Sequence, residues 1–263
     1  TEDEYGDSIK AFSFTSGADN GKELASGVGI LGATPQNPKA FYVCFGDYTS
    51  QSFTATTSDI PSTPNVKGLK NGYGAIQVFV KEGDQLTAID IKDVPMFSAD
   101  PTPSASLQHL NIVNAGLYSI DLSWNRCLRT LNLAGNNFST LSLAGCNGNY
   151  SKNALYEINL SNNAITELTL NDMRAVRNLY LNNNQLSTID LSFGDYVENI
   201  DISNNNFTEI NLGYCSCLKS FKASNNKISS ITMPETNVLE YFACDNNNFT
   251  LASIPARGNI AED

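Results

Sequence analysis

Length, composition and charge already exclude several classes of protein. The chain has 263 residues, 41% of them hydrophobic, which is enough for one large or two modest domains with buried cores. The formal net charge of −11, with only 16 Lys and Arg residues, argues against a nucleic-acid partner. No apolar stretch approaches the ~20 residues of a membrane-spanning helix.

Residues 1–97 are rich in Ser, Thr and Gly and contain alternating apolar runs such as IKAFSF, KAFYVCF and GAIQVFV. Alternation with a period of two predicts strands. Gly83 and Asp84 stand between two such runs and predict a hairpin. We interpret this region as an antiparallel β-sandwich of six to eight strands with an immunoglobulin-like form. The chain starts at Thr1 in the acidic run TEDEYGD rather than at Met, which fits removal of a targeting segment.

A linker is predicted at residues 98–106, because SADPTPSAS has the Pro and Ser content of such segments. Seven repeat units follow over residues 107–255, and residues 256–263 form a polar tail. Each unit has apolar residues at positions 1, 4, 6, 11, 14 and 16. The units start at Leu107, Leu128, Leu155, Val176, Val197, Leu218 and Leu239.

The spacing of these units is 21 residues except for one step of 27, from Leu128 to Leu155. That step contains a six-residue insertion near residues 148–153. Because the 21-residue spacing resumes after it, we expect the insertion to loop out without changing the register of the units.

An asparagine recurs at position 9 of the units, as in LYLNNNQLSTIDLS. Its short side chain has two donors and an acceptor, so it can satisfy backbone groups where the chain bends sharply away from a strand. The other two asparagines of the run NNN, Asn182 and Asn183, are expected to face water. The predicted ladder consists of Asn136, Asn163, Asn184, Asn205, Asn226 and Asn247, and the first unit has Ala115 in its place.

The pattern LxxLxLxxNx(L/F) resembles that of leucine-rich repeat proteins, over roughly residues 107–254. The second half of each unit echoes the first, as in the 21-residue bacterial class of these repeats. The resemblance implies a flattened solenoid with parallel strands on a concave face and almost no helix. Together with the acidic start, it also implies secreted or surface lipoproteins of gut Bacteroidetes, with a lipid anchor upstream of Thr1.

In this family a partner normally docks on the concave face, through positions 3, 5 and 7. Neighbouring parallel strands lie ~4.8 Å apart, so we expect Asp201 and Lys222 to be close enough to pair. The alternative is that these polar side chains only keep the face solvated. The candidate partner-binding residues are His109, Glu157, Tyr180, Asn199, Asp201, Lys222 and Tyr241.

Catalysis is not expected. The single histidine, His109, is predicted to point outward from the concave strand as an exposed side chain, and no catalytic or phosphate-binding motif accompanies it. Neither a cofactor nor a metal is expected, because the six cysteines fit no zinc spacing. Cys127, Cys217 and Cys244 fall in core positions and are expected to be buried thiols, although Cys127 and Cys146, in successive units, allow a disulfide.

These features predict a monomeric, non-enzymatic, secreted or surface-anchored protein that binds a protein partner through the solenoid. One alternative is carbohydrate binding by the N-terminal sandwich, with Tyr42, Tyr48 and Tyr73 as stacking platforms. The other is a structural spacer without a concave-face ligand. A solenoid must also protect its ends, and we expect the sandwich to cap the first unit and Pro255 to block strand addition after the last.

Overall fold

The computed structural model describes residues 7–19, 21–47, 49–59, 66–72, 74–146, 154–170, 173–235, 238–250 and 253. The first eight strands are β1 (Ser8–Ser16), β2 (Glu23–Ile30), β3 (Lys39–Cys44), β4 (Ser50–Ala55), β5 (Val66–Leu69), β6 (Ile76–Lys81), β7 (Leu86–Lys92) and β8 (Met96–Asp100).

Eleven short strands follow: β9 (His109–Val113), β10 (Thr130–Asn132), β11 (Thr140–Leu141), β12 (Glu157–Asn159), β13 (Glu167–Leu168), β14 (Asn178–Tyr180), β15 (Asn199–Asp201), β16 (Glu209–Asn211), β17 (Ser220–Lys222), β18 (Ser230–Thr232) and β19 (Tyr241–Ala243). Two single-turn 3-10 helices lie at Ala144–Cys146 and Gly194–Tyr196. No helix among the described residues has the length and apolarity needed to cross a membrane.

The N-terminal region contains a five-stranded antiparallel sheet with the strand order β4-β3-β6-β1-β8. The alternating sequence of β6 buries Ile76, Val78 and Val80 on one face, as a period of two requires. The prediction of antiparallel strands is therefore confirmed, whereas the immunoglobulin-like arrangement stays a prediction.

The predicted hairpin at Gly83 and Asp84 is wrong. Strand β6 pairs with β1 and β3, whereas β7 pairs with β2 and β9, so this turn carries the chain from one sheet to another. Alternation identified both strands but could not identify their partners, because strand pairing depends on contacts far away in sequence.

A second sheet joins the N-terminal strands to the solenoid. It has ten strands in the order β19-β17-β15-β14-β12-β10-β9-β7-β2-β5. Strand β7 pairs antiparallel with β2 on one side and parallel with β9 on the other, with Ala88 opposite His109 and Ile89 opposite Leu110. Strand β8 runs across the predicted division at residue 97, so no break in sheet hydrogen bonding coincides with that position.

The residues from 86 to 106 form a coil of the solenoid, which we call coil 0; coils 1 to 7 begin at the seven unit starts. Leu86, Ile89 and Ile91 precede Leu107, Leu110 and Ile112 by 21 residues, and all six are buried. Asp93 (φ 56°) and Asn114 (φ 53°) share a left-handed backbone, also 21 residues apart. Coil 0 lacks the ladder asparagine, having Val94 there, so the repeat pattern did not reveal it.

The solenoid has the predicted parallel strands in uniform register. Leu179 of β14 pairs with Ile158 of β12 and Ile200 of β15. The register also holds across the insertion, since Thr130 pairs with Glu157. The inserted residues themselves lie outside the described residues. On the back face, the second halves of the coils form two small parallel sheets, β11-β13 and β16-β18.

Apolar side chains from both faces meet between them in one core. In coil 4, Leu179 and Leu181 from the concave strand and Leu186 from the turn are fully buried. The same core cluster extends from Phe12 in β1 to Leu239 in coil 7, so the N-terminal sheets and the solenoid share it.

The ladder asparagines connect each coil to the one before it. In coil 4, Asn184 Oδ1 accepts a hydrogen bond from Ile165 N at 3.0 Å. Its Nδ2 donates to Leu160 O at 2.9 Å and to Leu181 O at 3.0 Å. Equivalent bonds to a backbone N–H and two carbonyls recur at Asn136, Asn163, Asn205, Asn226 and Asn247.

The asparagine before the ladder position also has a structural role, contrary to the expectation that it only faces water. Asn183 is exposed, but its φ of 58° lies in the left-handed region that Asn tolerates better than most residues. Its Nδ2 donates to Asn162 Oδ1 of the preceding coil at 2.9 Å. Similar φ values, from 54° to 58°, recur at Asn162, Asn204, Asn225 and Asn246. The two consecutive asparagines therefore have different roles: Asn183 adopts the left-handed backbone conformation, and Asn184 satisfies backbone groups in the core.

We predict that Asn184→Ala lowers the free energy of unfolding by about 1–3 kcal/mol. The carbonyls of Leu160 and Leu181 each retain a second ladder amide, but Ile165 N–H loses its partner inside the protein. Chemical denaturation measures the loss. Asn182→Ala, two residues away, is the control, and equal stability of the two variants would contradict the ladder role.

For the left-handed position, we predict that Asn183→Ala is less stable than Asn183→Gly by about 1 kcal/mol. Both variants lose the side-chain bond to Asn162, but only glycine adopts positive φ without a steric cost. Thermal unfolding of the two variants gives the comparison. If alanine were tolerated as well as glycine, the backbone conformation would not constrain this position.

For the N-terminal end, we predict that a fragment starting at residue 101 aggregates. It lacks β7, so β9 becomes an unpaired edge strand with Leu110 and Ile112 uncovered. Deleting residues 257–263 should change little, because this segment is mostly polar. Light scattering and thermal unfolding check both. A monomeric 101–263 fragment as heat-resistant as the full chain would contradict the capping role.

Candidate functional site

The concave face consists of two rows of side chains, from positions 3 and 5 of the coils. Strand pairing aligns the members of each row on adjacent strands. Position 3 contributes His109, Thr130, Glu157, Asn178, Asn199, Ser220 and Tyr241, and position 5 contributes Asn111, Asn132, Asn159, Tyr180, Asp201, Lys222 and Ala243.

Exposure of the rows rises toward the C-terminal end. His109 and Asn111 in coil 1 are buried, Tyr180 is half-buried, and Lys222 and Tyr241 in coils 6 and 7 are exposed. All of the predicted residues except His109 therefore belong to an accessible strip from Glu157 to Tyr241, which we call the concave strip.

Several position-5 side chains stabilise the end of their own strand. The Oδ1 atoms of Asn132, Asn159 and Asp201 accept hydrogen bonds from the backbone N–H two residues later, at 3.0–3.1 Å. This Asx geometry is local and belongs to the chain turn. It accounts for the Asn and Asp at position 5 without a partner.

A hydrogen-bonded row runs along position 3. Asn199 Nδ2 donates to Asn178 Oδ1 at 2.7 Å, and Asn178 Nδ2 donates more weakly to Glu157 Oε2 at 3.4 Å. Beside this row, burial raises the pKa of the Tyr180 hydroxyl, and the carboxylates of Glu157 and Asp201 raise it further. The phenol therefore remains a neutral donor at ordinary pH.

The expected ion pair between Asp201 and Lys222 is not formed. The two residues are opposite each other on β15 and β17, but Lys222 Nζ lies over the ring of Tyr241, 5.7 Å from its centroid. Asp201 instead accepts the backbone hydrogen bond from Ser203. A cation over an aromatic face is attracted by the ring quadrupole, which competes with an exposed ion pair of small net value.

The expectation of an exposed His109 is wrong. Its side chain is buried, with Nδ1 2.9 Å from Thr130 Oγ1. Nε2 lies 3.1 Å from Asp59 Oδ1, an ion-pair distance without hydrogen-bond geometry. Burial lowers the pKa of His109 despite the opposing effect of Asp59, so the imidazole is neutral at pH 7.

The segment of residues 57–59 covers this end of the concave face. Thr57 O accepts a hydrogen bond from Ile30 N, and Ser58 O accepts one from Thr87 Oγ1 at 2.8 Å. A Cβ at Gly29 would lie 2.8 Å from Asp59 O, so only glycine lets the segment approach β2 this closely. This loop was not identifiable from the repeat pattern, because it comes from another part of the chain.

The six cysteines are free thiols, so the disulfide that Cys127 and Cys146 allow is not formed. Burial raises the pKa values of Cys146 and Cys215 to about 12, which leaves both unreactive. Cys127, Cys217 and Cys244, expected to be buried, are only half-buried. Of the tyrosines considered for carbohydrate, Tyr42 is half-buried in β3, and Tyr48 and Tyr73 lie outside the described residues.

Comparison with known proteins supports the fold. The family model described as Leucine Rich Repeat matches residues 127–149. No curated protein matches the chain. Internalin C2 from Listeria monocytogenes is similar, with 21% identity, a TM-score of 0.55, and coverage of 66% of this chain and 78% of that chain.

Two further structures are similar over smaller parts of their own length. The Toll–Spatzle complex from Drosophila has 18% identity and a TM-score of 0.51, covering 62% of this chain and 25% of that chain. The functional domain of InlJ from Listeria monocytogenes has 21% identity and a TM-score of 0.45, covering 61% of this chain and 44% of that chain. The family match, the repeat spacing and the parallel-strand solenoid together support the assignment of this chain as a leucine-rich repeat protein.

Proposed function

We propose that this is a non-enzymatic recognition protein that binds a protein partner through the concave strip. The observation that carries the proposal is the combination of half-buried Tyr180 on β14 with exposed Lys222 on β17 and exposed Tyr241 on β19, three strands of one parallel sheet. Tyrosine is enriched among residues that dominate binding energy, because its ring is apolar and its hydroxyl forms hydrogen bonds.

The backbone under this strip supports recognition as well. Strand pairing and the ladder asparagines fix the spacing of the strands, so little conformational entropy is lost when a partner binds. The strip carries carboxylates at Glu157 and Asp201, and the chain has a net charge of −11, which favours a partner with a basic patch. The similarity to the chain in the Toll–Spatzle complex also fits a protein ligand.

A catalytic role is not part of the proposal. The single histidine is neutral, buried under the segment of residues 57–59 and held beside Thr130. The carbohydrate alternative at the N-terminal sheets has less support, because Tyr42 is half-buried. A spacer without a ligand remains the opposite outcome of the test below.

Localisation and class are part of the same proposal. We place the protein at the cell surface or outside the cell, as a monomer of the 21-residue bacterial class that resembles Bacteroidetes surface lipoproteins. The 21-residue spacing of the repeat supports this placement.

We predict that Tyr180→Ala and Tyr241→Ala each weaken capture of the partner by about tenfold or more, the loss typical of a dominant interface residue. The full chain is immobilised, proteins from native surface extracts are captured, and the amounts are measured by quantitative mass spectrometry. Tyr196→Ala is the matched control, since Tyr196 is 56% exposed but lies outside both concave rows. Capture that is the same for all variants would overturn concave-face recognition and favour the spacer.

A further inference from the structure

In the described part of the chain, three tyrosines lie in the concave strands or directly before one, and two of them hold a cation of the protein itself. The Arg129 guanidinium carbon lies 5.9 Å from the ring centroid of Tyr156, and Lys222 Nζ lies 5.7 Å from that of Tyr241. In both pairs the cation comes from the preceding coil. Tyr180 is the third tyrosine, and the residue opposite it in the preceding coil is the neutral Asn159.

The charged neighbours of Tyr180 in the two concave rows are carboxylates. Strand pairing places Asp201 directly beside Tyr180, and Glu157 lies diagonally across from it on β12. The rows of coils 2 to 5 contain no Lys or Arg. Both carboxylates are close enough to raise the pKa of the Tyr180 hydroxyl. The half-buried ring of Tyr180 therefore lies in a locally negative field.

These two carboxylates are not neutralised within the described ranges. Neither Glu157 nor Asp201 belongs to an ion pair there, and Lys222, the one row cation opposite Asp201, lies over Tyr241 instead. The rim of the same coils is different, because Glu198 pairs with Arg177 at 2.9 Å and with Lys219 at 2.7 Å. The chain thus balances the charge beside the concave strip but leaves the charge within it.

The negative charge of Asp201 is not needed for folding. Its Oδ1 accepts a hydrogen bond from Ser203 N at 3.0 Å, but Asn132 and Asn159 make the same turn contact with a neutral amide oxygen. An asparagine would therefore satisfy the backbone here equally well. The carboxylate is an addition to the turn, and its net effect is electrostatic.

The occupant that complements this arrangement is a basic side chain. A cation placed over the Tyr180 ring is attracted by the ring quadrupole and, at the same time, by the carboxylates of Glu157 and Asp201. An acidic side chain would be repelled by both. An apolar side chain would cover the carboxylates without compensating the loss of their hydration.

We propose that Tyr180, with Glu157 and Asp201 beside it, is the anchor site for a lysine or arginine side chain of the protein partner. The partner's cation takes the place over Tyr180 that Lys222 takes over Tyr241. The site lies within the concave strip, so it rests on the proposed protein recognition and adds the chemistry of the side chain that is recognised.

The test uses an array of synthetic nine-residue peptides incubated with the full chain. Each sequence is printed with arginine, lysine, citrulline or norleucine at the central position and with uncharged residues elsewhere. Citrulline keeps the shape of arginine without its charge, and norleucine does the same for lysine. Titration calorimetry of the best-binding sequence should give an affinity about tenfold or more higher for the charged forms than for the neutral ones.

The variants separate the ring, the local charge and the net charge. Glu157→Gln/Asp201→Asn should abolish the preference for the charged forms, and the asparagine keeps the turn contact with Ser203. Glu167→Gln/Glu209→Gln removes the same charge from exposed positions of the back face and should leave the preference unchanged. Tyr180→Phe should retain the preference because it keeps the ring, whereas Tyr180→Leu should lose it. Circular dichroism and thermal unfolding establish that each variant is folded.

The anchor is overturned if charged and neutral forms bind equally well, if Glu157→Gln/Asp201→Asn keeps the preference, or if no peptide binds. Recognition through the concave strip is decided separately, by the effect of Tyr180→Ala on capture from surface extracts. Capture that depends on Tyr180 together with peptide binding that ignores charge would leave the proposed function standing without the cation anchor. A preference lost equally in Glu167→Gln/Glu209→Gln would show an effect of net charge alone and would also overturn the anchor.

Discussion

Each coil of this protein bends sharply after its concave strand, and the bend leaves backbone N–H and C=O groups pointing into an apolar core. Burying such groups without partners costs about 1–3 kcal/mol each, and the bend recurs in every coil. In coils 2 to 7 the asparagine at position 9 satisfies these groups by accepting a hydrogen bond from one N–H and donating to two carbonyls, as Asn184 does. One of the carbonyls and the N–H belong to the preceding coil, so the same contact fixes the spacing between coils.

The uniform spacing determines what the surface can do. Because the strands are held in register, residues 21 positions apart become neighbours in a row, as Tyr180 and Asp201 do on the concave face. The concave strip is thus a consequence of the uniform spacing of the strands.

The N-terminal strands limit the accessible part of the concave face. Strand β7 continues the sheet beyond β9, which removes the edge that the first repeat would otherwise expose. The segment of residues 57–59 then covers His109, so the side chains of coil 1 in the two rows are buried, whereas those of coil 2 and the later coils are at least partly exposed. The C-terminal strand β19 has no such cover among the described residues, and its Tyr241 is exposed. The concave strip is therefore most accessible to a partner at coils 6 and 7.

The sequence by itself determined the repeat region. The 21-residue spacing of Leu, Ile and Asn specified parallel strands, their register across the insertion and the rows of the concave face, because each of these depends on contacts between equivalent positions of adjacent coils. Position 8 could also have been found from the sequence, since NN recurs from coil 3 onward, but its left-handed backbone was visible only in the structure.

Only the tertiary structure decided how the first part of the chain meets the second. Coil 0 lacks the ladder asparagine, and its strand β7 pairs antiparallel with β2 and parallel with β9. The turn at Gly83 and Asp84 joins two sheets rather than two paired strands. The burial of His109 and the position of Lys222 over Tyr241 have the same origin. Each depends on contacts between residues that no periodic pattern relates, or on competition between partners at similar distances, so local sequence carries no signal for them.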